Sequence, residues 1–127
     1  AVDFISIHTY PVWEYKHIHE SLEHTRNNYN SVAQRYPGKP VVITEAGWST
    51  NSNGRGINPE MVNEENQKRY YEDLMDWTHA EQILAFVFEA FDEEWKGSHH
   101  PLEPEKHWGL FKIDRTPKLV IQHREEC

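Results

Sequence analysis

Glu45 closes the run Val41-Val42-Ile43-Thr44-Glu45 and is followed by Ala46-Gly47-Trp48-Ser49-Thr50, so a carboxylate stands where a short apolar strand meets a small-residue turn. Strand packing does not call for a glutamate there, and in parallel sheets the carboxyl ends of the strands are where sites are assembled. Two further apolar runs end in the same way. Phe4 to Ile7 leads into His8 and Tyr10, and Ile83 to Phe88 leads into Glu89, Asp92 and Glu93, with Lys96 shortly after. Carboxylates flanked by tyrosine and tryptophan, without a glycine-rich nucleotide fingerprint, point to carbohydrate chemistry. Cleaving a glycosidic bond takes two carboxyl groups; at about 5 Å apart, one attacks the anomeric carbon and the other supplies the proton. Glu45 is the candidate nucleophile, and Glu93, Glu89 or Asp92 are candidates to tune it or to hold sugar hydroxyls. The competing reading makes Glu45 an ion-paired loop residue and Asp92-Glu93-Glu94 a solvated face; the convergence of three strand ends favours the chemical one.

The elements that position these groups alternate in period. Phe4, Ile5 and Ile7 mark a strand that Pro11 stops. From Lys16 to Tyr36 the period is helical, with Ile18, Leu22, Tyr29, Val32, Ala33 and Tyr36 on one stripe, and Pro37-Gly38 ends it. A buried strand over Val41–Glu45 follows, then a turn-rich loop with Gly54 and Gly56. Asn58-Pro59-Glu60 reads as a helix start, and that helix runs to about Ala80, burying Val62, Tyr70, Leu74 and Trp77 with Tyr71 and Met75 at its margins. A third buried strand over Ile83–Phe88 precedes a proline-bearing loop from Ser98 to Lys106. An extended segment over Trp108–Ile113 and a short helix opened by Thr116-Pro117-Lys118 complete the order, and residues 124–127 are expected to form a disordered tail. Ile5 to Ile43 is 38 residues and Ile43 to Phe86 is 43, a spacing that suits successive βαβ units with all strand ends on one rim.

The totals narrow the partners. A net charge of −8 argues against nucleic acid and anionic membranes, and no apolar run approaches the roughly 18 residues of a membrane span. The single Cys127 forms no internal disulfide. Nine histidines, including His17 with His19 and His99-His100 with His107, match no strong ligand spacing, so neither metal nor organic cofactor is expected. Opening on a buried-type strand, the chain reads as a piece of a larger unit.

The stretches VVITEAGWST, FVFEAFDEEWKG and LEPEKHWGLFKIDRTPK together resemble glycoside hydrolase family 17, the β-1,3-glucanase and glucanosyltransferase family, most of all its bacterial and fungal members. The resemblance covers nearly the whole chain. It implies an α/β fold, a partial (β/α)8 barrel in which residues 1–123 contribute the strands corresponding to the sixth, seventh and eighth. It implies Glu45 as the retaining nucleophile, Glu93 and Lys96 hydrogen-bonding around the nucleophile and the sugar, Tyr10 as an aromatic beside the nucleophile, and Trp48 lining the cleft. The implied substrate is a β-1,3-glucan or related β-glucan, with hydrolysis and transglycosylation both open, and family members are often secreted or attached to the cell envelope.

Two departures carry consequences. The family's Phe-Asp-Glu-Pro-Trp-Lys reads Phe91-Asp92-Glu93-Glu94-Trp95-Lys96 here, which frees the backbone beside Glu93. The family's acid/base glutamate, which follows an asparagine at the end of the fourth strand, has no counterpart among these residues. A complete barrel takes about 250 residues. The 127 residues alone are therefore expected to be inactive, with open strand edges that favour a homo-oligomer or a complementary barrel fragment.

Overall fold

The computed structural model describes residues 2–122; the disordered tail expected at 124–127 lies outside them. Three parallel strands form one sheet in the order β1 (Ile5–Thr9), β2 (Val41–Ala46) and β3 (Ala85–Val87). Helix α1 (Ser21–Arg35) connects the first pair and α2 (Glu64–Ala80) the second, and a short α3 (Leu119–Gln122) packs on α2. This is the arrangement of three consecutive units of a β/α barrel. No helix among the described residues is long and apolar enough to cross a membrane.

The middle strand carries an irregularity that sets up the rim. Ile7 pairs with Ile43, but the next residue, His8, pairs with Glu45 rather than Thr44. On the other side Ile43 pairs with Ala85 and Ala46 with Val87, again with one extra residue on β2. Such a bulge breaks the two-residue alternation and re-aims a side chain. Val41, Ile43 and Ala46 all face the helices and are buried, although the last interval is three residues. Glu45 is thereby turned away from the core, at the end of its strand.

The core lies between the sheet and the helices, around Ile43, Ala46, Trp48, Tyr70, Tyr71 and Leu74. The apolar stripe of the first helical region follows the sequence reading except at Tyr36. A short 3-10 turn over Ile18–Glu20 precedes α1, capped reciprocally by the His17 side chain and Glu20. The helix proper starts at Ser21; of the apolar stripe, Ile18 is buried, Leu22, Tyr29, Val32 and Ala33 are half-buried, and Tyr36, just past the helix end, is 47% exposed, while the buried residues of the helix itself are Ser21 and Thr25. A buried hydroxyl chain explains the polar contact. Thr9 Oγ1 lies 3.1 Å from Thr25 Oγ1, which lies 2.8 Å from Tyr70 OH, tying β1, α1 and α2 together. On α2, Tyr71 belongs to the core and Met75 is exposed, whereas Trp77 meets Tyr29 edge-on across the two helices. The third strand is shorter than read, three residues, because Ile83 bonds back to Thr78 and the chain leaves the ladder after Val87. On the sheet face away from the helices, Phe4, Leu84 and Phe86 are all more than half exposed, and β1 and β3 each have one unpaired edge among the described residues.

Candidate active site

Glu45 stands on the rim with one third of its side chain exposed. Its Oε2 accepts a hydrogen bond from the Tyr10 hydroxyl, and His8 Nδ1 lies 3.3 Å from the same oxygen. Both partners come from the end of β1, brought opposite Glu45 by the bulge. Burial, reinforced by the adjacent carboxylate, pushes the Tyr10 phenol far above its ordinary range, so it remains a donor at any working pH. Its ring is fixed by edge contacts with Trp108 at 5.2 Å and Phe88 at 6.0 Å between centroids. The glycine of the Glu-Ala-Gly-Trp turn follows from this crowding. A Cβ on Gly47 would stand 2.7 Å from the Phe88 carbonyl oxygen and 2.9 Å from Tyr10 Cε1.

The carboxylate opens into a pocket of about 220 Å³ lined by Tyr10, Trp13, Glu45, Phe88, Glu105 and Trp108. The expectation that Trp48 lines this cleft does not hold. Trp48 is fully buried, its indole N–H donates to the Met61 carbonyl at 3.0 Å, and its ring packs on Tyr70. The turn at Gly47 sends it inward against α2. The aromatic walls are Trp108 and Trp13, with ring centroids 6.0 Å apart. Trp13 sits on a 3-10 turn over Pro11–Glu14 directly after Tyr10, against Gly56, where a Cβ would come within 2.6 Å of its ring. Sequence reasoning missed Trp13 and Glu105. Their signals were proximity to Tyr10 for the first and, for the second, its place in the LEPEKHWGLF stretch.

Glu93 and Lys96, expected to bond around the nucleophile and the sugar, bond to one another instead. Lys96 Nζ lies 2.8 Å from Glu89 Oε2 and 2.9 Å from Glu93 Oε2, and 4.7 Å from the centroid of the Phe88 ring that walls the pocket. Neither Glu93 nor Lys96 forms a hydrogen bond or ion pair with Glu45; Tyr10 and His8 occupy that role. Burial works against the Lys96 charge, yet the bonds to the two carboxylates outweigh it and raise its pKa. Burial is also the main reason the Glu89 carboxyl is raised. One ammonium shared between two carboxylates neutralises only one, and Glu89 Oε1 is buried with no hydrogen-bond partner among the described residues.

Asp92 belongs to the scaffold instead. It is buried, accepts a bond from the Gly109 N–H at 2.8 Å and pairs with Lys118 Nζ at 2.8 Å, with His107 Nδ1 3.8 Å away. Burial would raise its carboxyl, but His107 and Lys118 outweigh that and hold it below the usual range. Burial also lowers the Lys118 pKa more than Asp92 restores it. The geometry nonetheless requires an ammonium. Thr50 Oγ1, itself donating to the His107 carbonyl, lies 2.8 Å from Nζ, with Asp92 Oδ1 and the His107 carbonyl completing three acceptors for three N–H groups. This clasp joins the loops after β2 and β3 to the C-terminal segment. It borders an open depression of about 880 Å³ that also includes Glu64, Lys112 and Asp114. Glu45 is not among its walls, and its lysines are paired to Asp92 and Glu64, so size does not make it the reactive site. No group of three or more His, Cys, Asp or Glu side chains among the described residues is placed to hold a metal ion.

Comparison with known proteins fits this geometry. The BtgE/BtgC glycoside hydrolase domain model matches residues 1–109. A glucan 1,3-beta-glucosidase of Arthroderma benhamiae is 28% identical over 130 residues, covering 94% of this chain and 42% of that protein. Among solved structures, an endo-laminarinase from Formosa Hel1_33_131 superposes with a TM-score of 0.87 at 27% identity, covering 98% of this chain and 39% of its own. An active-site mutant of the Rhizomucor miehei beta-1,3-glucanosyltransferase, in complex with laminaritriose, superposes with a TM-score of 0.81 at 28% identity, covering 94% of this chain and 42% of its own. The unmutated enzyme is described as a member of glycoside hydrolase family 17. The chain thus spans well under half the length of these relatives. With residues 1–109 matched by the family model, the chain belongs to the BtgE/BtgC glycoside hydrolase domain family, and the kinship with glycoside hydrolase family 17 read from its motifs stands.

Proposed function

We propose that these residues form the nucleophile side of a retaining β-1,3-glucan-active site, with Glu45 attacking the anomeric carbon. The observation that carries this reading is the half-open carboxylate at the end of the middle strand, oriented by the Tyr10 hydroxyl and facing aromatic walls. A carboxylate oriented by a hydrogen bond beside ring-sized apolar surfaces suits attack from below a stacked sugar ring. Tyr10 keeps Oε2 engaged, so Oε1 is the oxygen left to form the glycosyl ester. In this reading Lys96, packed on the Phe88 ring, and Glu93 hold sugar hydroxyls; that Glu105 lines the same pocket as Glu45 supports a further polar contact there. The laminaritriose complex of a structural relative supports a β-1,3-glucan as substrate.

The reaction also needs a carboxylic acid to protonate the departing oxygen, worth roughly 10²–10⁴-fold. In this reading that acid comes from outside the 127 residues, which on their own bind glucan weakly and do not turn it over. The unpaired edges of β1 and β3, with Phe4, Leu84 and Phe86 on the uncovered face, take a complementary barrel portion or a second copy. Transfer to a sugar acceptor instead of water uses the same residues, and the glucanosyltransferase relative favours keeping it as a second reading.

Reducing-sugar release from laminarin, measured for the chain alone, for a catalytically active form containing it, and for Glu45→Gln in each, tests the proposal. Activity in the active form, lost on Glu45→Gln and absent from the chain alone, is expected. Glu45-dependent turnover by the chain alone would refute the external acid. Longer oligosaccharide products would identify transfer, and light scattering from an ordered monomer at high concentration would refute the edge pairing.

A further inference from the structure

The turn that carries Glu93 and Lys96 is held by a buried cation that no reaction step uses. Glu93, Glu94, Trp95 and Lys96 form a reverse turn whose closing bond, from Lys96 N–H to the Glu93 carbonyl, is long at 3.5 Å. Its neighbours point apart: Trp95 is 74% exposed, while Lys96 turns inward between Glu89 and Glu93. Lys106, buried at 8% exposure, donates from Nζ to the Glu94 carbonyl at 2.6 Å and to the Lys96 carbonyl at 2.7 Å, one on each side of Trp95. No carboxylate lies within ion-pair distance of this ammonium among the described residues, so the two carbonyls are its partners. Gly97, at φ 68°, lets the chain leave against the Glu103 side chain, where a Cβ would come within 2.5 Å.

Glu94 occupies the second position of this turn, where proline is favoured because its ring presets φ. Glutamate there leaves the turn free to open, and an open turn would swing Lys96 away from both carboxylates. We propose that Lys106 is a positioning residue: its ammonium straps the Glu93–Lys96 turn shut and thereby fixes Lys96 over the ring of Phe88, which lines the Glu45 pocket. The strap is a matter of this chain's geometry alone; its consequence for glucan chemistry rests on the reading of Glu45 given above.

Hydrogen exchange on the full chain tests the strap without any assay of activity. Lys106→Met removes two charge-assisted bonds to the turn, so the Lys96 amide, which closes it, is expected to exchange about ten- to a hundredfold faster. Adding Glu94→Pro to Lys106→Met is expected to restore most of that protection, because it rigidifies the same turn by another route. The Lys96 ammonium, followed by NMR, should titrate lower in Lys106→Met and recover in the double variant, a response that general loosening elsewhere would not give. Unchanged exchange in Lys106→Met, or no recovery with proline in a folded protein, would overturn the proposal. Should Lys106→Met fail to fold, the unmutated chain still decides: the Lys106 ammonium protons must exchange far more slowly than those of the exposed Lys112. Equal rates would overturn the strap. Laminarin hydrolysis that survives Glu45→Gln in a catalytically active form, with the strap's exchange pattern unchanged, would instead count against the nucleophile reading.

Discussion

Replacing Tyr10 with phenylalanine removes one oxygen from the site and little else. The ring keeps its edge contacts with Trp108 and Phe88, so folding stability should change by under about 1 kcal/mol. What is lost is the bond to Glu45 Oε2, leaving His8 Nδ1 at 3.3 Å as the remaining neighbour of that oxygen. A hydrogen bond to a charged group contributes about 1.5–3 kcal/mol. On the proposed mechanism the carboxylate is a neutral ester in the glycosyl-enzyme and accepts weakly; as the ester breaks, charge would return to it and the bond would strengthen. The bond is therefore felt most in breakdown of the intermediate, and the full loss amounts to roughly a 10- to 150-fold slower step. Steady-state hydrolysis by an active form of the enzyme should show kcat reduced in that range. KM should fall alongside it, because the intermediate accumulates, and rapid-quench experiments should show a burst of product release. An unchanged kcat, or a fall in kcat fully accounted for by a lower melting temperature, would refute the assignment of Tyr10 to the nucleophile.

The remaining predictions concern the walls and the scaffold. Trp13→Ala should weaken laminari-oligosaccharide binding by about 1–3 kcal/mol in titration calorimetry, the scale of stacking on an aromatic ring. Trp48→Ala should instead destabilise the fold by about 3–5 kcal/mol in urea, as for other large buried aromatics. Lys118→Met leaves Asp92 as an uncompensated buried charge and should cost about 3–5 kcal/mol by the same measurement, with Asp92→Asn in the same chain recovering part of it. The Asp92 carboxyl is lowered in the folded chain, so its stabilisation is present above its unfolded pKa of about 3.9 and is lost as pH falls through the lower folded value. Urea midpoints between pH 6 and 2 should therefore fall less steeply for Asp92→Asn than for the parent, and parallel profiles would contradict the clasp.

The parts of the fold legible in sequence were those written in long-period patterns. Three apolar runs, each ending in polar or aromatic groups at βαβ spacing, gave the parallel sheet and put His8, Tyr10 and Glu45 on one rim. The bulge in β2 was not legible, because Thr44 looks like any other β-branched strand residue, and its extra length appears only in the pairing with both neighbours. The Trp48 error has a related origin. The family resemblance placed Trp48 in the cleft, but crowding at Gly47 reverses the chain, and the indole finds its acceptor at Met61. What the α1 stripe did not reveal was the helix's deepest contact, a chain of hydroxyls from Thr9 through Thr25 to Tyr70 that carries no apolar signal. Glu105 and Trp13 reach the pocket from loops whose paths depend on Gly56, Gly97 and buried lysines, contacts distant in sequence that no periodicity reports.

The nucleophile assignment is tested most directly by trapping. A laminari-oligosaccharide donor with fluorine at the 2-position and a dinitrophenolate leaving group needs little acid assistance and stalls as the glycosyl-enzyme. Incubated with a form of the protein that hydrolyses laminarin and digested for mass spectrometry, it should leave its mass on Glu45, with no adduct in Glu45→Gln. An adduct on Glu93 or Glu105 instead, or full activity after exhaustive treatment, would contradict the account.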